Sequence, residues 1–287
     1  MRPLAKSLQE YSRGIIGGLL FSLPLLYTME VWWAGVRAHP LHLIFYVMTT
    51  FALLLGYNYY AGLRHDANWT EVVIDSVEEM GLGLLISAAA LLLLGRIGLD
   101  MALNEIVGKI TVEAMTVAIG VSVGTAQLGG VGGESDTGEG GPARTRAASG
   151  GASNGVHFGG QLVLALCGAV LFAANVAPTE EIVVIASEIS SWKMLAIAFI
   201  SIALGAVILF SVDFRGARNL APAGGPMAVL IGSVTNYAVA LAASAMILWF
   251  FGRFGGQDLI MCIGQTIVLG LAATLGASAG RLLLQAG

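Results

Sequence analysis

The stretch FSLPLLYTME, residues 21–30, returns as FAANVAPTEE, residues 172–181, and that return decides how the chain is organised. Phe21, Thr28 and Glu30 reappear as Phe172, Thr179 and Glu181, each 151 positions later, and Arg64 reappears as Arg215 at the same offset. Further along the offset becomes 157: Ile74, Ser76 and Val77 match Ile231, Ser233 and Val234, and Gly95-Arg96 matches Gly252-Arg253. In the last segment it is 156, pairing Gly108, Gly120, Ser122 and Gly124 with Gly264, Gly276, Ser278 and Gly280. Ordered matches along four successive hydrophobic segments point to a duplicated membrane unit, over residues 14–125 and 165–281.

Composition agrees. The 287 residues are 56 % hydrophobic and 11 % charged, with a mean hydropathy of +0.82. A water-soluble domain would hold about 25 % charged residues. Apolar segments of about 20 residues read as membrane-spanning helices. Eight are expected, near 14–36, 42–62, 73–95, 101–124, 161–187, 193–212, 226–251 and 257–281. The expected fold is an all-α membrane protein of eight transmembrane helices, arranged as two tandem four-helix repeats. An even number of spans per copy makes both copies enter from the same side, which gives parallel repeats. The first segment is too long and too interrupted for a cleaved signal peptide and reads as a retained helix.

The division expected is a first repeat over 1–125, a linker over 126–160 and a second repeat over 161–287. The linker, rich in Gly, Ser and Ala, has almost no large apolar side chain and cannot form a core. Its glycines lack the spacing GxxxxGK[ST] of a phosphate loop. With a cytoplasmic N-terminus, Arg2, Lys6, Arg13, Arg64, Arg144, Arg146, Arg215, Arg218 and Arg281 fall inside, and only Arg37, Arg96, Lys193 and Arg253 outside. That bias predicts a multi-pass protein of the cell inner membrane with both termini cytoplasmic. Cys167 and Cys262 lie in apolar segments and read as reduced packing residues. The net charge of −4 with scattered bases gives no sign of a nucleic-acid partner.

The candidate chemistry centres on the repeated stretch. Pro24 and Pro178 each weaken a helix and free a backbone carbonyl. Thr28 and Glu30 follow the first, and Thr179, Glu180 and Glu181 follow the second, with Asn175 upstream. Irregular backbone at membrane depth is tolerated only within protein or beside a water-filled cavity. Carboxylate, hydroxyl and carbonyl oxygens together suit a hard cation such as Ca²⁺, Na⁺ or H⁺. Glu30 and Glu181 are therefore the expected metal-binding pair, facing one shared cavity, with carboxyls held protonated more readily by apolar surroundings. A bland alternative puts both near headgroups.

Other charges form two further groups. Glu105, Lys109 and Glu113 sit at i, i+4 and i+8 on one helix face, as a self-neutralised set or a relay. Asp75, Glu78 and Glu79 open the third helix, as partners of its macrodipole or as a cation entrance. His39, His42, His65 and His157 show no metal-site spacing and read as surface residues.

FSLPLLYTMEVWW, VAPTEEI and the two Gly-Arg turns resemble a bacterial family of integral membrane proteins of unknown function, over nearly the whole chain. The resemblance implies the membrane class and supplies no substrate, cofactor or catalytic residue. The residues themselves show no catalytic triad, metal-hydrolase helix or nucleotide loop, so no enzyme and no cofactor is expected. A proton-coupled cation carrier is the leading expectation, Ca²⁺ first, with the lipid bilayer, protons and an inorganic cation as partners. The alternatives are a cation channel with an acid-lined pore, formed alone or as a homo-oligomer, and a non-transporting scaffold or accessory subunit.

Overall fold

The computed structural model describes residues 4–61, 68–98, 100–127, 158–211 and 226–283. Among them are ten α-helices: α1 (Leu4–Leu26), α2 (Met29–Arg37), α3 (Pro40–Ala61), α4 (Trp69–Leu93), α5 (Leu103–Gln127), α6 (Phe158–Val176), α7 (Glu180–Glu188), α8 (Ser191–Ser211), α9 (Pro226–Phe250) and α10 (Leu259–Leu283). Most of the linker expected over 126–160 lies outside the described residues, as do Arg64, His65, His157, Asp213, Arg215 and Arg218. At the linker's two margins the chain is helical, since α5 runs to Gln127 and α6 starts at Phe158.

The weakening expected at Pro24 and Pro178 takes the form of two full breaks. The first and fifth segments are each broken in two, at residues 27–28 and at 177–179. Pro24 sits in the last turn of α1, where it lacks the N–H that would extend the ladder. The chain then tightens, with Tyr27 N donating to Pro24 O and Thr28 N to Leu25 O. Pro178 lies within the second break, and Thr28 and Thr179 both take extended backbone before α2 and α7 begin. Seven helices are long and apolar enough to cross a membrane: α3, α4, α5, α6, α8, α9 and α10. Helix α1 is not among them, since Lys6, Glu10 and Arg13 occupy its first half.

Two helices sit centrally. Helix α5 packs against α1, α2, α3 and α4, and α10 packs against α6, α7, α8 and α9. Of the span of α5, 72 % is buried, against 11 % for α8, so α8 turns its apolar surface outward. Large apolar side chains on that outer surface, such as Phe199, Ile200 and Val207, suit a lipid environment. Helix α6 joins the two groups by packing against α1, α3 and α5. A continuous apolar core follows, from Leu54 and Ile119 through Leu164 and Leu171 to Leu248 and Leu269.

Glycines allow the central helices to be approached at backbone distance. A Cβ on Gly17 of α1 would lie 2.6 Å from Gly120 O of α5, and closer still to Gly124. In α6, Gly168 meets Gly276 and Gly280 of α10, where a Cβ on Gly280 would fall 2.6 Å from Leu164 O. Gly35 of α2 lies against Gly108 of α5, at 2.7 Å from its carbonyl by the same measure. Small residues at such crossings replace hydrophobic driving force with dispersion contacts in a bilayer. Gly17→Ala and Gly168→Ala should each destabilise by about 3 kcal/mol, because the obstruction is backbone and cannot repack. Gly81→Ala, with open space around it, should stay within about 0.5 kcal/mol. Thermal unfolding of the purified protein in detergent compares the three, and equal midpoints would refute the crossing.

Candidate functional site

Both breaks are held by side chains that reach across helices. Thr28 Oγ1 donates to Pro24 O at 2.7 Å, and Thr179 Oγ1 donates to Val176 O at 2.9 Å. Asn175 Nδ2 donates to Phe21 O at 3.0 Å and to Leu171 O at 2.6 Å, tying α6 to α1. These groups satisfy backbone carbonyls near the interruptions.

The two Gly-Arg turns hold the short helices from outside. Gly95 and Gly252 have positive φ, 65° and 70°, which glycine adopts without a Cβ penalty. After α4, Gly95 N donates to Leu92 O and Arg96 N to Leu91 O, and after α9 Gly252 and Arg253 repeat the pattern with Trp249 and Leu248. This double bond closes a helix and sets the arginine just past its end. Arg96 lies over the Trp32 ring of α2 at 4.5 Å. Arg253 Nη1 donates to Glu180 Oε1 at 3.1 Å, and its Nη2 donates to Pro178 O. One arginine thus holds α2, and the other holds the start of α7.

Between these elements opens a cleft of about 650 Å³. Glu30, Glu180, Arg37, Arg253, His39 and His42 supply its polar lining, with Trp33, Phe250 and Phe251 among the apolar groups. Glu30 and Glu180 therefore share one cavity. Glu181 does not line it. That side chain is exposed on α7, beyond the apolar span of α6, and its own backbone N–H, then the Thr179 hydroxyl, hold its carboxyl below the usual range. This is opposite to the upward shift expected of a carboxyl in apolar surroundings. Thr28, Thr179 and Asn175 are also absent from the lining, whereas Pro178 is part of it. His39 and His42, read from the sequence as surface residues, belong to the cleft, and the His42 ring stands 5.1 Å from that of Trp249.

Below the cleft lies Glu113, ten residues into α5 and so about 15 Å along it. Its side chain is fully buried, and neither carboxyl oxygen has a hydrogen-bond partner. The Trp32 indole is the donor facing it, but the geometry falls short of a bond and Nε1 is also unpartnered. Lys109 does not neutralise it. Its Nζ donates to Glu105 Oε1 at 2.9 Å and to Arg96 O at 3.1 Å. The expected three-member stripe is therefore a pair plus an isolated acid.

Glu79 has a different setting. Helix α4 begins at Trp69, not near 73, with the Glu71 carboxylate accepting from Asn68 N at 3.3 Å. Asp75, Glu78 and Glu79 consequently sit two to three turns inside it. Glu78 is exposed, while Asp75 and Glu79 are partly buried. Asn58 of α3 donates to Glu79 Oε2 at 2.7 Å and to Ser76 Oγ at 3.0 Å, and Ser122 Oγ of α5 donates to Asn58 Oδ1 at 3.2 Å. Asn58, Trp32 and Tyr46 were not legible as site residues, because each looks like an ordinary polar or aromatic position in a span.

A family model described as "Putative integral membrane protein (DUF2391)" matches residues 10–284. The chain belongs to this family. As a member it is an integral membrane protein that crosses the bilayer several times, in agreement with its seven apolar spans. No curated protein and no solved structure matches it. Among the described residues no group of three or more His, Cys, Asp or Glu side chains could hold a metal ion. In a family member lacking Cys167 and Cys262, Glu30→Cys should react within minutes with a charged methanethiosulfonate reagent. Glu113→Cys should resist it by a factor of about 100 or more, since the reagent must enter through local opening. Equal labelling would contradict the buried position.

Proposed function

We propose that this protein carries cations across the bilayer in exchange with protons, through two tandem four-helix halves of parallel topology. Several observations support the two-half reading. The sequence offsets run in order along the chain. Gly17 and Gly168, 151 positions apart, make corresponding crossings on α5 and α10. Each central helix packs against four helices of its own half, and each half carries a Gly-Arg cap. On this reading α1 with α2 is the eighth span. The excess of Lys and Arg toward the termini favours cytoplasmic ends in an inner membrane, so the cleft faces outward.

Glu113 is the observation that carries the transport reading. An ionised carboxylate at the middle of a span costs about 3 kcal/mol or more when nothing neutralises it. The side chain must therefore be neutralised by a proton, and taking that proton up and giving it back in step with a cation is what a proton-coupled carrier needs. The cleft above it supplies a vestibule. Arg253 neutralises Glu180, and Arg37 lies 5.3 Å from the Trp33 ring centroid. Glu30 then offers the acid that attracts an incoming cation. Glu30 with Glu180, rather than with Glu181, forms the entry pair.

A scaffold reading is favoured by one contact, the Asn175 bond to Phe21 O, which ties α6 to α1 without any need for transport. Flux separates the two. In vesicles loaded with a Ca²⁺-sensitive or pH-sensitive dye, wild-type protein should give saturable flux that moves with the pH gradient. Glu113→Gln should lower it at least tenfold while remaining monodisperse, and Glu30→Gln should raise the half-saturating cation concentration about threefold. Wild-type vesicles as tight as empty ones under every cation gradient would leave the scaffold.

A further inference from the structure

Resting on that reading, we infer that the coupling proton has a route of its own through the protein core, apart from the cation's, and that this route lies wholly within the first half, from Glu113 to Glu79. The surroundings of Glu113 decide the species. Its neighbours Val112 and Ala114 belong to an apolar cluster with Leu25, Val31, Met115 and Phe250, in which the Tyr46 phenol is the one hydroxyl, and among the described residues no group of three acids, histidines or cysteines gathers there to hold a metal ion. Ca²⁺ requires about six to eight oxygens, and Na⁺ likewise needs a shell of oxygens. A proton needs one carboxylate oxygen. The buried acid therefore fits the coupling ion and not a metal cargo.

The route follows from what α3 presents to α5. Tyr46 and Thr50 are buried on α3 at i and i+4, on one helix face, and Asn58 is buried two turns further on, about 80° round from Thr50. Tyr46 and Thr116 hydroxyls stand 3.3 Å apart, and Thr116 lies one turn beyond Glu113 on α5. Tyr46 is also near enough to Glu113 for the two to interact electrostatically. Ser122, nine residues past Glu113 and about 13 Å along the helix, reaches the cluster of Asn58, Ser76 and Glu79. Hydroxyls both donate and accept, so a row of them can take a proton on one side and release one on the other. Glu113 receives the proton from the cleft, the Tyr46–Thr116 pair and Thr50 pass it on, and Glu79 releases it. Each side chain ends the cycle in its starting state.

The charged groups around the two ends are few. Facing Glu113 are Trp32 of α2 and Tyr46 of α3, while Lys109 is held by Glu105 one turn away. Facing Glu79 are Asn58 of α3, Ser122 of α5, Cys167 of α6, and Asp75 and Glu78 on its own helix. The second half lacks the equivalents: by the sequence offsets Leu269 stands for Glu113, Ala272 for Thr116 and Asn236 for Glu79. Ser201 and Ser233 stand for Thr50 and Ser76, and Asn236 donates to Ser278 at 2.9 Å.

The test uses vesicles of three parts phosphatidylethanolamine to one part phosphatidylglycerol, with pyranine inside and a potassium diffusion potential set by valinomycin. The lumen is loaded with Ca²⁺ or Na⁺, one at a time, and the outside is free of both, so that exchange with outside protons can run. Wild-type protein should acidify the lumen well above the empty-vesicle rate. Tyr46→Phe and Thr116→Val, which keep shape and remove a hydroxyl, should each cut that rate tenfold or more, and Glu79→Gln should do the same. Ser278→Ala should leave it unchanged. Size-exclusion profiles check folding, and the hydroxyl deletions are independent of one another, so one misfolded variant does not decide the outcome. Wild-type protein that moves Ca²⁺ or Na⁺ but no protons overturns both the proton route and the exchange with protons, and leaves uncoupled cation movement. Proton flux unaltered by both hydroxyl deletions overturns the route through α3 and α5. Vesicles that pass no cation of any kind overturn the carrier reading and the route together.

Discussion

The structure depends on backbone meeting backbone where α1 and α6 cross the two central helices. In a bilayer, lipid tails are as apolar as leucine, so burying a side chain gives little net drive for helices to associate. Dispersion contacts and close approach must supply it. Gly17 against Gly120 and Gly124, and Gly168 against Gly276 and Gly280, bring helix axes nearer than any side chain would permit. Because these crossings are tight, α1 and α6 can each stop short of their whole apolar segment, at Leu26 and Val176, without losing their place.

Stopping short has a chemical consequence. A helix that ends inside the protein leaves carbonyls at one terminus and N–H groups at the next start, and these must find partners or water. Thr28, Thr179 and Asn175 satisfy some of them. Arg253 satisfies Pro178 O and at the same time neutralises Glu180. The polar cleft is thus a product of the interrupted helices, and Glu30 and Glu180 line it because α2 and α7 begin there. Helix α2 also sets Trp32 between the Arg96 guanidinium and the buried Glu113.

On the proposed two-half reading, the halves differ most where charge is deepest. Glu113 and Glu79 have Leu269 and Asn236 at the matching positions, while the glycine crossings and the Gly-Arg caps are kept in both. Packing devices are shared and buried acids are not. The buried bond between Asn236 and Ser278 retains the geometry of the acid cluster without its charge.

Sequence alone determined the membrane class, the helical fold and the interruptions near Pro24 and Pro178, because hydropathy and missing backbone donors act locally. It also marked Glu30, Glu181 and Glu113 as costly groups, since a carboxylate among apolar residues is expensive wherever it points. Which acids meet was decided by tertiary structure. One helical position separates Glu180 from Glu181, and that rotation of about 100° puts one in the cleft and the other outside it. Lys109 had two acids within reach on its own helix, and the carbonyl of Arg96, supplied by a different turn, drew it to Glu105. Asn58 shows the same limit, for its partners lie 18 and 21 positions ahead on α4 and 64 ahead on α5. Local pattern sets the cost of a polar group, and only the packing of distant helices sets what compensates it.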